Sequence, residues 1–463
     1  MPKRILGRFL ALCVLCTVST AAALGGDDTL IVVKAGRVIT VSGEEHAPGT
    51  IVIEDGKITA VGGDIEYPPS ARVIDAGTET VTPGFVLPKS RYELPTYSRS
   101  GVHGDQTASS DVYPSQLRYD HLLKAGYTTI CYVPAGTGIP GVASVYRTGG
   151  PDETRLVREN AYLHVVPKWR AGGKSTLRKA LKKAEEEIEK VEKARKEWDE
   201  KQKKKDDEQK ESSEEEEVDE ESDEEGDGDD STPGAKRRVA DEDGDEDEQD
   251  SSPADVEGEE EEEFEPPKID PAHQPLVDLI QHKEGARMMV TLTRASDLRH
   301  FDDVMKAYED LDYVLYLATA RSTDYHHVVE ALGERQASVT LRPWIHFLPQ
   351  TTFRYNVMAK LVEAGCSVAV IPWSDDRVEF GRVRARLADL VRAGLSRESA
   401  LKSLTLAPAE AIGLGDQIGS IEKEKAADLV FFDGDPIDPH AQVRRVMILG
   451  EIVWTQPSEE DQR

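Results

Sequence analysis

Residues 288–317 read MMVTLTRASDLRHFDDVMKAYEDLDYVLYL, and this stretch indicates the fold class. It begins with the apolar run Met288–Leu292 and ends with a second apolar run, Tyr313–Leu317. Between them, apolar residues recur at helical spacing over residues 297–308. A strand, a helix and a second strand in succession form the unit from which α/β folds with parallel sheets are built.

The same alternation extends outward in both directions. Strand-like runs occupy residues 128–133, 337–341 and 367–371, and amphipathic helices are predicted over 377–393 and 396–412, the second with Ser396 as its N-cap. Both chain ends are instead rich in short β runs. Near the N-terminus, Asp55-Gly56 separates two such runs and predicts a hairpin. We therefore expect one small β domain built from both chain ends.

The middle of the chain carries a charged insertion. Apolar residues recur every three or four positions from Leu177 to Trp198, which predicts an amphipathic helix, either a coiled-coil segment or a solvated single helix. Residues 211–267 follow with 30 Asp and Glu against 3 Lys and Arg, and we expect this tract to be disordered. It accounts for −27 of the formal net charge of −31. The acidic excess argues against nucleic acid as a partner.

The N-terminal residues predict export to the periplasm or cell envelope. Lys3 and Arg4 precede a short apolar core, and Ala21-Ala22-Ala23 offers a cleavage site of small residues. The apolar stretch is too short for a stable membrane span. The expected organisation is a signal peptide at 1–26, β-sandwich at 27–83 and 413–463, barrel at 84–173 and 268–412, a charged helix at 174–210 and the acidic insertion at 211–267.

Several short motifs resemble the amidohydrolase superfamily, in particular its imidazolonepropionase-like branch. They are Gly36-Arg37-Val38-Ile39, Asp55-Gly56-Lys57-Ile58, Pro83-Gly84-Phe85, Ala125-Gly126-Tyr127-Thr128-Thr129, Glu363-Ala364-Gly365, Ala393-Gly394-Leu395-Ser396, Pro408-Ala409, Ile418-Gly419-Ser420-Ile421 and Ala427-Asp428-Leu429. The resemblance implies an α/β fold: a (β/α)8 TIM-type barrel plus a small β-sandwich formed by both chain ends. It also implies hydrolysis of non-peptide C–N bonds at the carboxyl ends of the barrel strands, assisted by a divalent metal such as zinc.

The implied metal ligands are replaced. After Pro-Gly-Phe the superfamily carries a His-x-His pair, and here Lys89 and Arg91 occupy those two positions. Neither side chain offers a lone pair at neutral pH, and both repel a cation. Thr291 or Thr293 occupies the place of the histidine on strand five, and the run after Tyr316 offers none for strand six. We therefore predict no metal ligands and no cofactor.

The remaining candidates suggest an anion site. Asp375 matches the aspartate of strand eight and is the candidate catalytic residue, although Asp376 stands beside it. Arg342 and His346 belong to a loop that should face the barrel mouth. Lys89, Arg91 and Arg342 together are suited to a small anion such as a carboxylate or phosphate. The alternative is that Lys89 and Arg91 form a salt-bridge cluster with Asp375 and Glu93.

Three functions remain open from the sequence. The first is a non-catalytic or altered-site binding protein, that is, a pseudoenzyme of the superfamily. The second is an active hydrolase of cyclic amides or amidines with a non-standard site around Asp375. In the third, the inserted helix and acidic tract are the functional part. The sequence leaves homo-oligomerisation open.

Overall fold

The computed structural model describes residues 30–95, 97–169, 173–220, 263–308, 310–318 and 324–457, with side chains omitted at 173–174 and 208–220. The predicted signal peptide and most of the acidic tract lie outside these residues.

The described residues form many short strands. They are β1 Ile31–Ala35, β2 Arg37–Val38, β3 Gly49–Glu54, β4 Lys57–Gly62, β5 Arg72–Asp75, β6 Thr80–Pro83, β7 Phe85–Ser90, β8 Arg99–Val102, β9 Tyr127–Tyr132, β10 Gly136–Val142, β11 Ser144–Arg147, β12 Leu156–Arg158, β13 Leu163–Val166, β14 Met288–Leu292, β15 Tyr313–Leu317, β16 Ser338–Leu341, β17 His346–Phe347, β18 Arg354–Tyr355, β19 Ser367–Val370, β20 Leu429–Phe432, β21 Val443–Ile448 and β22 Glu451–Thr455.

Helices of very different length separate many of these strands. They are α1 Asp120–Ala125, α2 Asp152–Arg155, α3 Gly173–Glu220, α4 Gln274–Ile280, α5 Ala295–Met305, α6 Val329–Glu334, α7 Val357–Glu363, α8 Arg377–Arg392, α9 Arg397–Lys402 and α10 Leu406–Ala411. Among the described residues, no helix is long and apolar enough to cross a membrane.

Two sheets form the centre of the molecule. The larger has the order β19-β16-β15-β14-β13-β10-β8, and its strands from β13 to β19 run parallel. The smaller has the order β12-β11-β9-β7, with β7 and β9 parallel. The edge strands β19 and β7 lie in contact. The strand–helix alternation predicted from the sequence is confirmed. Within the described residues, hydrogen-bonded strand pairs do not close the two sheets into a continuous ring.

The unit at 288–317 shows how the alternation arises. All five residues of β14 are buried, because this strand is covered on both faces. Helix α5 buries Leu298, Phe301 and Val304, which recur at intervals of three residues and so lie on one face. Its start is fixed by Asp297, whose carboxylate accepts hydrogen bonds from the backbone N–H groups of Thr293 (2.9 Å) and Arg294 (3.0 Å).

The predicted helix over 396–412 is wrong in one respect, because two short helices, α9 and α10, occupy this segment. Ser396 caps the first as predicted, since its hydroxyl accepts a bond of 3.0 Å from the backbone N–H of Ser399. The chain breaks at Thr405 (φ −122°, ψ −85°) before α10 begins. The break places Pro408 in the first turn of α10, where a missing N–H costs no hydrogen bond.

The two chain ends contribute strands to one sheet. Its order is β2-β6-β20-β21-β22, and a second sheet has the order β4-β3-β1-β5. Buried apolar side chains of both ends share one core, including Ile51 and Ile53 with Phe431. The predicted hairpin is confirmed, because β3 and β4 pair directly around Asp55-Gly56, both at positive φ (50° and 75°).

Helix α3 covers the predicted charged helix and the first residues of the acidic tract. Leu177, Leu181 and Ala184 are buried where the helix packs against α4 and α5. Further along, Trp198 contacts Phe264 with ring centroids 5.8 Å apart, and the Arg195 guanidinium lies 5.0 Å from the centroid of the Trp198 ring. The chain therefore leaves the core along α3 and returns against the same helix.

Gly84 provides a test of the packing between β7 and β9. A Cβ atom at this position would stand 2.0 Å from the hydroxyl oxygen of Thr128, which is buried. We expect Gly84→Ala to lower the free energy of unfolding by about 1–3 kcal/mol, because a filled core cannot yield to an added methyl group. The measurement is urea denaturation followed by circular dichroism.

Gly381→Ala is the matched control. Gly381 is exposed within α8, and an added Cβ meets nothing within 4 Å. Alanine should stabilise that helix by about 0.5–1 kcal/mol. Equal effects of the two substitutions would show that the contact at Gly84 does not limit packing.

Candidate functional site

The candidate residues gather where β7, β16 and β19 end. Lys89 and Ser90 are the last two residues of β7, Arg342 follows β16 directly, and Asp375 lies five residues after β19. Because parallel strands end at the same edge of a sheet, these three segments place their polar side chains together. The site predicted from Lys89, Arg342 and Asp375 therefore corresponds to a single region of the molecule.

Asp375 joins the ends of the first and last of these strands. Its Oδ1 accepts a hydrogen bond of 2.9 Å from the Ser90 hydroxyl, and its Oδ2 accepts one of 2.8 Å from the backbone N–H of Arg91. The Ser90 oxygen in turn accepts the backbone N–H of Tyr92 at 3.1 Å. Both carboxylate oxygens are thus engaged by uncharged donors, although the residue itself is exposed.

Lys89 forms no direct ion pair with any residue that the structure describes. Its Nζ lies 5.1 Å from the centroid of the Tyr316 ring, and no hydrogen bond or ion pair joins it to another described residue. Burial lowers the pKa of this ammonium; Asp375 opposes the effect, whereas the guanidinium groups of Arg342 and Arg91 add to it. Lys89 is therefore a half-buried cation whose charged form is disfavoured by its surroundings.

Arg342 reaches the same aromatic ring. Its Nε donates a bond of 3.0 Å to the carbonyl oxygen of Trp373, and its guanidinium carbon lies 5.8 Å from the centroid of the Tyr316 ring. The guanidinium also lies 5.7 Å from the centroid of the Trp373 ring. Two cationic side chains therefore converge on Tyr316, each supported by the aromatic face.

Arg91 turns away from this pair. Its guanidinium donates to the carbonyl oxygen of Pro95, while its Nε is buried without a hydrogen-bond partner. Burial lowers its pKa, and Asp111 and Asp375 oppose the effect. Glu93 accepts the backbone N–H of Arg118 at 2.9 Å. Among the described residues, the alternative salt-bridge cluster of Lys89 and Arg91 with Asp375 and Glu93 is not formed.

The two threonines proposed as ligand-binding residues have different surroundings. Thr291 is buried, pairs with Tyr316 in the register of β14 and β15, and has a hydroxyl group without a partner. Thr293 is exposed, and its hydroxyl donates a bond of 2.7 Å to Asp297 at the start of α5. Thr291 therefore lies with Tyr316 on one face of the sheet, whereas Thr293 acts in capping a helix.

His346 stands beside the site. It pairs with Tyr355 in the two-stranded ribbon of β17 and β18, and burial lowers its pKa. With Arg342 it lines a small cavity next to β15. His346 therefore lies near Arg342 but in a ribbon separate from the main sheet.

His164 is a site residue that sequence reasoning missed. It is buried on β13, its Nδ1 lies 3.2 Å from the carbonyl oxygen of Pro134, and its Nε2 has no partner. Burial lowers its pKa from the ordinary value of 6.5 to about 3, and the nearby Lys89 charge acts in the same direction. The available signal was a lone histidine inside the apolar run Leu163–Val166.

The residues present do not fit a divalent metal. Among the described residues, no three His, Cys, Asp or Glu side chains are grouped as a metal ion requires. The ends of β7 and β16 carry Lys89 and Arg342 instead, and cations repel a metal ion. We therefore derive no chemical step through a bound metal.

The chain is similar to several known proteins in sequence and in fold. Residues 358–453 match the model of the Amidohydrolase family. The dihydroorotase of Anaeromyxobacter dehalogenans (strain 2CP-C) is 38% identical over 117 residues, which are 25% of this chain and 24% of that protein. The dihydroorotase of Anaeromyxobacter sp. (strain K) is 35% identical over a segment of the same length and the same shares of the two chains. This chain thus matches about a quarter of the length of these curated relatives.

Among solved structures, an amidohydrolase from Thermotoga maritima MSB8 has a similar fold, with a TM-score of 0.67 at 20% sequence identity. The match covers 92% of this chain and 100% of that one. The fold is thus a mixed α/β fold of the amidohydrolase type. In sequence, the C-terminal part of the chain is similar to the Amidohydrolase family, which agrees with the resemblance over residues 358–453.

The lowered pKa of His164 should make the free energy of unfolding depend on pH. The unfolded chain binds a proton at this imidazole below about pH 6.5, whereas the folded protein does so only near pH 3. Its contribution to stability is complete above pH 6.5 and is lost as the pH falls toward the folded value. Between pH 7 and pH 5 we expect it to lower the free energy of unfolding by about 2 kcal/mol.

Urea denaturation of the wild type and of His164→Met at both pH values tests this expectation. The variant should lose that part of the pH dependence, whereas His440→Met, which removes an exposed imidazole, should keep it. If the free energy of unfolding of His164→Met changed with pH as much as that of the wild type, His164 would be protonated as readily in the folded protein as in the unfolded chain.

Proposed function

We propose that this protein is an imidazolonepropionase-like member of the superfamily whose barrel mouth binds a small anion where relatives hold a metal. The observation that carries the proposal is the convergence of Lys89 and Arg342 on Tyr316, while the Lys89 ammonium forms no direct ion pair with the residues that the structure describes. Guanidinium and ammonium groups are the usual protein ligands of carboxylates and phosphates. The protein is then a binding protein that has kept the fold without the metal-assisted chemistry.

The proposal includes the finer architecture. The parallel strands of the two central sheets would form a (β/α)8 barrel closed where β19 meets β7, and the two terminal sheets would form a β-sandwich. The contact between β19 and β7 and the hydrogen bonds from Ser90 and Arg91 to Asp375 support this closure. The charged helix and acidic tract are then an insertion between two barrel strands, β13 and β14.

An anion at the mouth would relieve an unfavourable charge distribution. Lys89, Arg342 and Arg91 influence one another as like charges, and Asp375 already uses both oxygens for uncharged donors. A carboxylate or phosphate bound to Lys89 and Arg342 would supply the missing negative charge. It would also raise the pKa of Lys89 toward its ordinary value, because an opposite charge favours the protonated amine.

An active hydrolase with a non-standard site is the second candidate. It is favoured by one observation, namely that the exposed carboxylate of Asp375 lies at the mouth, where it could accept a proton from water. Turnover of cyclic amides or amidines by the metal-free protein, abolished by Asp375→Asn, would support this function. Binding of an anion without turnover, unaffected by the absence of metal, would support the first.

The variant Lys89→Met tests the proposed site through two measurements, the effect of anions on the melting temperature and the stability without anions. We expect acetate or phosphate to raise the melting temperature of the wild type and to have no such effect on the variant, because the ammonium is lost. Without any anion, the variant should be more stable than the wild type by about 1–3 kcal/mol, because a half-buried charge without a direct ion-pair partner has been removed. Calorimetry with and without each anion provides both values.

Lys124→Met is the control, since Lys124 is exposed at the end of α1 and far in sequence from the mouth. It should change neither the anion effect nor the stability by a comparable amount. Elemental analysis after incubation with zinc and desalting completes the test. Stoichiometric zinc in the wild type, or an anion effect that survives in Lys89→Met, would contradict the proposed site.

A further inference from the structure

One face of the larger sheet carries buried polar side-chain atoms that have no hydrogen-bond partner in the part of the chain that the structure describes. Thr291 pairs with Tyr316 and Tyr316 pairs with Thr340 across β14, β15 and β16, so these three side chains point to the same side. The Tyr316 ring lies against Lys89. That side is therefore the one that faces the candidate anion site.

His164 belongs to the same face. It pairs with Met289, and Met289 stands two positions before Thr291 on β14, so both lie on one side of the strand. Exposure is 4% for His164, 6% for Thr291 and 0% for Thr340. The His164 Nε2 and the two threonine hydroxyl oxygens have no hydrogen-bond partner among the described residues. Three buried polar atoms without partners on one face indicate a place for a polar guest.

The hydrogen bond of His164 determines which functional group a ligand must present to this imidazole. The Nδ1 atom lies 3.2 Å from the Pro134 carbonyl oxygen, which can only accept, so Nδ1 carries the ring proton. The Nε2 atom then presents a lone pair toward the interior. A lone pair repels a carboxylate oxygen and requires a donor, such as a hydroxyl group. The anion therefore needs a hydrogen-bond donor in addition to its negative charge.

We infer that the ligand class is a 2-hydroxycarboxylate, with its carboxylate on Lys89 and Arg342 and its hydroxyl group donating to His164 Nε2. This inference rests on the proposed anion site and names its ligand. The hydroxyl groups of Thr291 and Thr340 complete the polar surface, because each can donate to or accept from the guest. A plain carboxylate would leave the His164 lone pair unpaired and should bind more weakly.

Isothermal titration of the full chain with glycolate and with acetate tests the inference. The two probes differ by one hydroxyl group, and we expect glycolate to bind at least tenfold more tightly. In His164→Met the ratio of the glycolate affinity to the acetate affinity should fall to about one. Equal affinities of the wild type for both probes would overturn the inference and leave the anion site intact. Binding of neither probe would overturn the proposed function as well.

Thr340→Val provides a second variant that keeps the volume of the side chain. It removes a buried hydroxyl without a partner, so we expect a higher melting temperature together with weaker glycolate binding. Thr148→Val is the matched control, because the equally buried Thr148 hydroxyl donates a bond of 2.8 Å to the Tyr127 carbonyl oxygen. That variant should melt at a lower temperature and bind glycolate normally.

A preference for inorganic phosphate over glycolate that is lost in His164→Met would overturn the carboxylate assignment. A lower melting temperature of Thr340→Val, comparable with that of Thr148→Val, would show that the Thr340 hydroxyl is satisfied within the protein. It would then count against the polar surface on which the inference depends.

Discussion

The arrangement of the mouth depends on the two hydrogen bonds that Asp375 accepts from the Ser90 hydroxyl and the Arg91 backbone. They connect the ends of β7 and β19, which are distant in sequence and lie at the edges of two different sheets. They also consume the carboxylate that stands near Lys89. Because both donors are uncharged, these two hydrogen bonds hold the Asp375 carboxylate in place without an ion pair.

The parts of the fold that sequence reasoning predicted are those with local causes. The strand–helix–strand unit at 288–317 follows from apolar spacing, and the hairpin at Asp55-Gly56 follows from two residues that accept positive φ. Lys89 was predicted from the superfamily's His-x-His position after Pro-Gly-Phe, and Arg342 from a loop expected at the barrel mouth. The predicted helix over 396–412 is interrupted because the backbone turns at Thr405, before the short helix that contains Pro408.

The remaining features depend on contacts between distant segments. His164 lies on β13 and its neighbour on β14 is Met289, with the long insertion between them. Which face His164 occupies is set by that register, which no local pattern specifies. Arg91 also differs from expectation, because the turn after β7 places Glu93 at a positive φ of 58° and directs the guanidinium toward Pro95. Thr293 differs as well, because its hydroxyl donates a hydrogen bond to the carboxylate of Asp297, four residues later in α5.

The insertion between β13 and β14 has a consequence for the continuity of the chain. Its two stems meet where Trp198 contacts Phe264, and the sheets on either side interleave strands from before and after it: β13 pairs with β14, and β6 pairs with β20. The residues before the acidic tract and those after it therefore contribute to both hydrophobic cores, so neither part of the chain contains a complete core by itself.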